Sequence, residues 1–354
     1  MIETQSFTLT QVETKYLETF MQQVSRSFAL IVPCLEPPLN HFLATAYLIC
    51  RVADNIEDCT QPAAWQSERF KELVALLKRP ALAPAILSTW DEETWPGLTG
   101  AERRLMSAAE GGMLWQIYAS TPQPARGIIG RWVAEMAQGM MNLADPDAPP
   151  FFLYRQQIWL PSSKTDYDRY CYFVAGTVGH LSTELVIHHY QLPAEVARRL
   201  AAWCEACGRG LQKTNIVKDF SKDLARGICY LPDEWLAEVN YAPLSLAGAP
   251  SSWKQKVVGN VLDELQDSVT YVFALPYYAA GYRLASLLCL LPAYQTLLLA
   301  ARQQQTLFTG DQQVKISHET MARCLQDAQG MAADNEAIWR YSQQIRQAIE
   351  ATFN

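Results

Sequence analysis

The chain has 354 residues, 49% of them hydrophobic and 18% charged, with 29 Lys and Arg against 36 Asp and Glu for a formal net charge of -7. That much apolar surface repays the entropy of ordering a backbone, which excludes a disordered or collagen-like chain. The acidic balance argues against a nucleic-acid surface, which needs an excess of cations, but it leaves room for an anionic substrate if a divalent metal supplies local positive charge.

The N-terminus carries Glu3, Glu13 and polar residues where a signal peptide would place a basic start and an apolar run, so no secretion is implied. Residues 41–58 mix Ala, Leu, Ile, Tyr and Val without Gly or Pro and predict a helix, as do most of residues 194–226. Residues 253–275 and 318–350 space apolar residues by three and four with charges between, the pattern of amphipathic helices. Breaks fall at Glu36-Pro37-Pro38, at residues 145–150, and from Ala242-Pro243 through Pro250-Ser251-Ser252, where Pro removes a donor and turns its predecessor from the helix. Leu284 to Ala301 is an uncharged run near the lower limit for crossing a bilayer. Pro292, Ser286, Tyr294, Gln295 and Thr296 interrupt it, and a buried core helix is expected there instead. Alternating strand patterns are scarce, and no Asn-Gly or Asp-Gly hairpin turn occurs. The nine cysteines are odd in number and scattered, which fits a reducing cytoplasm better than a disulfide framework. The expectation is an all-α, soluble, cytoplasmic protein with one domain over residues 1–354.

Two constellations of carboxylates carry chemistry. Asp54, Glu57 and Asp58 lie at i, i+3 and i+4 of an otherwise apolar helix and share one face, with Arg51 a turn upstream. Asn215, Asp219 and Asp223 follow at four-residue steps with Lys218 and Lys222 beside them. Like charges at these spacings repel, and Mg²⁺ bridging to substrate phosphates would offset the repulsion. The alternative for either stripe taken alone is a solvated acidic helix face. Two stripes on apolar helices, each beside a cation, favour the metal.

These stripes also carry a resemblance. The segments Ser25-Arg-Ser-Phe28, Tyr47 to Asp58, Tyr170-Cys-Tyr-Phe-Val-Ala-Gly-Thr-Val-Gly179, Gln212-Lys-Thr-Asn215 to Asp223, and Val314-Lys-Ile316 resemble, in order, those of the squalene/phytoene synthase family of head-to-head prenyl transferases. The resemblance implies an all-helical, single-domain isoprenoid synthase fold with helices around a large central cavity. It implies that Asp54, Glu57, Asp58, Asp219 and Asp223 bind Mg²⁺ and substrate diphosphate. Arg26 and Arg51 match basic residues near the diphosphates. Tyr47, Val174, Val178, Cys289 and Pro292, together with Phe28, match positions lining the substrate pocket, with Gln212 and Asn215 beside them. For each pocket residue the alternative is ordinary core.

The implied reaction joins two molecules of farnesyl diphosphate into presqualene diphosphate, then reduces it with NADPH to squalene. Tyr170 matches the tyrosine proposed to assist proton transfer; a free tyrosine is a poor base at neutral pH, so the leaving diphosphate is an alternative acceptor. Tyr170, Arg51 and Phe28 are the catalytic candidates. Ser27, Phe28, Asn215, Lys218, Arg226 and Lys315 are the NADPH candidates; no Gly-x-Gly-x-x-Gly fingerprint is present. Lys218 stands where the squalene-forming branch often has Arg, and Arg226 to Pro232 resembles bacterial phytoene-type enzymes. The chain's end at Asn354, without a membrane anchor, adds to the expectation of a bacterial-type soluble enzyme. Non-reducing phytoene or dehydrosqualene synthesis stays open. A non-catalytic isoprenoid-binding homologue would show decayed stripes, and both are intact. No nucleic acid or obligate protein partner is expected; peripheral membrane contact for product release stays an option.

Cys204-Glu-Ala-Cys207 has no second pair and no nearby histidine ligand, and His188-His189 cannot face one metal from one side of a helix. Both are expected to be structural, as are Trp203, Tyr277 and Tyr278.

Overall fold

The computed structural model describes residues 7–25, 28–143 and 152–353. In chain order the helices are α1 (Gln11–Val24), α2 (Phe28–Ile31), α3 (Leu39–Asp58), α4 (Ala63–Lys78), α5 (Ala83–Asp91), α6 (Gly100–Met106), α7 (Ala108–Ser120), α8 (Gln123–Leu143), α9 (Lys164–Cys171), α10 (Thr177–Tyr190), α11 (Ala194–Ala225), α12 (Asp233–Val239), α13 (Ser251–Ala274), α14 (Ala280–Arg302), α15 (His318–Met331) and α16 (Asn335–Ala351). One π-helical turn, Tyr172–Gly176, sits between α9 and α10. By packing, the chain groups into two compact units, Met1–Asp147 with His180–Pro193, and Ala148–Gly179 with Ala194–Asn354.

In the first unit α3 packs against α1, α4, α7 and α8. It buries Leu39, Phe42, Ala46, Ile49, Ala53 and Ile56, spaced by three and four, so the charges of the same helix fall on the remaining face. Capping boxes start α1 (Thr10 with Glu13) and α6 (Thr99 with Glu102), satisfying amides that a helix start leaves open.

In the second unit α11 lies along α13 and also packs on α14 and the π-turn. The approach to the π-turn is backbone against backbone: a Cβ on Gly208 would stand 2.0 Å from the Ala175 carbonyl oxygen. Among the described residues α14 is the one helix long and apolar enough to cross a membrane. It packs against α11, α13, α15 and α16, and 61% of its apolar window is buried, as expected of a core helix. Pro292 is accommodated inside it.

Two expectations need correction. The 318–350 pattern is two helices, because Asp334 accepts hydrogen bonds from the Glu336 and Ala337 amides and starts α16. In the 242–252 break, Pro243–Gly248 is a 3₁₀ turn and α13 already begins at Ser251. The all-α fold also carries a small antiparallel hairpin, β1 (Phe152–Arg155) with β2 (Ile158–Pro161). Its two-residue loop is Gln156-Gln157, both at positive φ (50° and 66°), where Asn-Gly is usual. The break at 145–150 lies outside the described residues. The nine cysteines form no disulfide.

Candidate active site

The first stripe occupies the C-terminal end of α3. Tyr47, Arg51, Asp54 and Asp58 recur at helical spacing, and their contacts run in series. The Phe28 ring lies on Tyr47 with centroids 4.7 Å apart. Arg51 Nη2 donates to Tyr47 Oη at 3.1 Å, and Arg51 Nη1 is 3.5 Å from Asp54 Oδ2. Desolvation raises the Asp54 carboxyl to about 6; Arg51 opposes this, while Asp58 and Glu102 add to it. Since 27% of its side chain is still accessible, Asp54 is recessed rather than sealed. Burial works against the Arg51 charge, but Asp54, Tyr47 and Asp58 outweigh it and hold its pKa above the usual value. Three carboxylates at the negative end of a helix dipole are also misplaced for stability. A cation would correct this. Gln66, which the sequence reading did not single out, secures the helix end: its Nε2 donates to the carbonyls of Ile56, Glu57 and Cys59 at 3.1, 2.9 and 2.8 Å.

The second stripe repeats the arrangement at the end of α11. Lys218 Nζ is 3.0 Å from Asn215 Oδ1 and 3.1 Å from Asp219 Oδ2, and Lys222 Nζ is 2.8 Å from Asp219 Oδ1. Asp219 thus already holds two ammonium groups. The helix stops just past Asp223: Gly227, at φ 77°, lets the Ile228 amide reach back to the Asp223 carbonyl at 2.9 Å. Arg226, exposed, lies in this turn. The segment carrying Lys315 is tied to the same stretch, since the Val314 amide donates to the Lys218 carbonyl at 3.3 Å. Val314 is buried while Lys315 is exposed.

The second unit also places the remaining candidates. Tyr170, 4% exposed, stacks on Tyr230 (centroids 4.5 Å) and meets Phe152 edge-on. Val174, Val178, Gln212, Cys289 and Pro292 are half-buried on otherwise buried elements. Burial pushes the Cys289 thiol up to about 12, and Cys207 lies within its electrostatic reach, also raised by burial. Thiols held protonated in this way are poor nucleophiles. Arg26 and Ser27 lie outside the described residues.

Among the described residues no three His, Cys, Asp or Glu side chains form a ready-made metal cage. Mg²⁺ does not need one, because it keeps several waters and takes one or two carboxylates plus phosphate oxygens. The donors fit that mode: each stripe presents hard oxygen ligands beside cations suited to a diphosphate.

A family model described as Squalene/phytoene synthase matches residues 21–320. The squalene synthase of Mus musculus is 24% identical over 338 residues, covering 93% of this chain and 73% of that protein. Among solved structures, TcSQS with the ligand BPH1237 aligns with a TM-score of 0.75 at 20% identity, covering 97% of each chain. A dehydrosqualene synthase in complex with ligand aligns with a TM-score of 0.60 at 17% identity, covering 90% of this chain and 96% of that one. The architecture is the isoprenoid synthase fold.

Proposed function

The chain belongs to the squalene/phytoene synthase family, and we propose that it condenses two molecules of farnesyl diphosphate head to head into presqualene diphosphate and reduces this to squalene with NADPH. The observation that carries the reading is the position of both acidic stripes, each at the C-terminal end of a long helix where dipole and mutual repulsion favour added positive charge.

Asp54, Glu57 and Asp58 would hold Mg²⁺ at one stripe, and Asp219 and Asp223 would hold it at the other. A metal bound there would supply positive charge against the diphosphate and so ease loss of the leaving group. Arg51 and Lys218 grip diphosphate oxygens, with Arg51 aimed by its bond to Tyr47. Arg51 lies over the Tyr47 ring, Phe28 packs on Tyr47, and such rings suit a passing allylic carbocation. Half-buried Val174, Val178, Cys289 and Pro292 supply a dry apolar wall, which matters because water would capture the cation as an alcohol. Tyr170, held by its stacking on Tyr230, assists the proton loss that closes the cyclopropane, with the departed diphosphate as the final proton acceptor. Lys218, Asn215 and Lys315 would receive the dinucleotide.

The test is incubation of purified protein with labelled farnesyl diphosphate and Mg²⁺, with and without NADPH, followed by mass spectrometry of the hydrocarbon. Squalene formed only with NADPH is the expected outcome. Dehydrosqualene despite NADPH would place the chain with the non-reducing enzymes, a reading to which the fold shared with a dehydrosqualene synthase lends support. No coupling of farnesyl diphosphate under either condition would remove the proposal.

A further inference from the structure

Lys213 is 0% exposed, yet it is a lysine. Its Nζ is 2.6 Å from Asp168 Oδ1 on α9, 2.6 Å from Glu264 Oε1 on α13 and 3.0 Å from Asn260 Oδ1 on α13. It also lies 5.0 Å from the ring centre of the fully buried Tyr167. The three donors of the ammonium group are all used. Outside this centre, Arg209 pairs with Glu264 at 3.2 Å and Glu205 at 2.7 Å, and Lys164 pairs with Asp168. Three cations thus meet three carboxylates. Such a network gives little net stability, since desolvation consumes much of the Coulomb gain, but its short bonds to α9 and α13 are directional and are lost if those helices rotate.

That geometry has a direction. Residues two apart on a helix point to opposing sides, about 200° around the axis. Asp168 is two residues before Tyr170, and Lys213 is two residues before Asn215; Asp219, six residues on, falls on the same far side as Asn215 by the same count. The ion pair therefore joins the backs of α9 and α11, whose other faces carry the candidate proton-transfer tyrosine and the second stripe. We propose that Lys213, through Asp168 and Glu264, is a positioning residue: it sets the rotation of α9 against α11 and so the placement of Tyr170 relative to Asn215 and Asp219. This rests on the roles given to those three residues above.

The test uses Lys213→Met/Glu264→Gln, which removes one charge of each sign at nearly constant volume. The control is Arg283→Met, which removes a buried clamp on the carbonyls of Val272 and Leu275 in the same unit and touches none of the candidate residues. Melting temperature, turnover of farnesyl diphosphate and Mg²⁺-dependent pyrophosphate binding by calorimetry are read for each. The folded double variant is expected to lose about 100-fold in turnover and about tenfold in pyrophosphate affinity, whereas the control keeps both within about twofold of the parent even if it melts lower. A double variant that tracks the control in both assays overturns the proposal. If the double variant does not fold, Asp168→Asn is read the same way, with a tenfold loss of turnover expected at roughly that order and parity with the parent counting against. If the parent makes no product yet binds pyrophosphate, the proposed reaction fails while the binding arm still decides this inference. If it does neither, both fall.

Discussion

Arg51 and Asp54 stand 3.5 Å apart on one face of α3, close enough to attract but not to satisfy each other fully. Desolvation wins at Asp54, whose carboxyl is raised to about 6 against about 3.9 for an unfolded Asp. The neutral form is therefore the one the folded protein favours. Its stabilising effect is full below the unfolded value and is lost as pH rises through about 6. In chelator, Asp54→Asn should melt higher than the parent at pH 7.5 and at the same temperature near pH 4. Melting curves across that range check it; a variant less stable at pH 7.5 would show that the ion pair outweighs burial.

Asp219 is where the metal assignment of the second stripe is most exposed to test. Replacing it with Ala relieves repulsion with Asp223 and costs only surface ion pairs to Lys218 and Lys222. The helix should survive, as seen by circular dichroism. Product formation should fall on the order of 100-fold or more, as for loss of a group that holds a catalytic metal. Unchanged turnover would remove Asp219 from the site.

Lys315 is the residue with which to test the proposed reductive step. It is exposed beside Val314, which is bound to the Lys218 carbonyl. Lys315→Ala should slow the reduction far more than the condensation, so presqualene diphosphate should build up in an NADPH assay resolved by chromatography. Equal slowing of both steps would argue against a cofactor role.

Gly208 tests the backbone contact beneath the site. A methyl group there would meet the Ala175 carbonyl oxygen at 2.0 Å, with Gly179 in a similar position against the Cys204 carbonyl at 2.1 Å. Neither neighbour is a flexible side-chain end. Gly208→Ala should cost about 3 kcal/mol or more, in the upper range for overpacking, and should lower activity by parting α11 from the π-turn. Denaturant titration measures the first effect. A shift under about 0.5 kcal/mol, the usual size for an unconstrained surface change, would mean that the helices can separate freely.

Periodicity made most of this architecture legible. The apolar stripe of α3 and the long uninterrupted α11 follow from residue order, because a helix repeats every 3.6 residues whatever it packs on. The carboxylates of each stripe share a face for the same reason. The Gln156-Gln157 hairpin was not legible, since its left-handed residues lack the usual Asn or Gly, and the stop before α16 was hidden because Asp334 reads equally as a surface charge. Gln66 gave no sign either: its three carbonyl partners lie at and just past the end of another helix.

Local order along the chain, then, determined the helices, the acidic stripes and their neighbouring cations, all of which are set by spacings of a few residues. Burial and long-range partners were decided by the tertiary structure. Nothing near Lys213 in the sequence foretells that it is sealed between Asp168 and Glu264, 45 and 51 residues away. Nor does local order reveal that Asp54 is recessed enough to titrate near 6. Desolvation and charge pairing depend on which distant segments exclude water from a group, and only the packed chain specifies that.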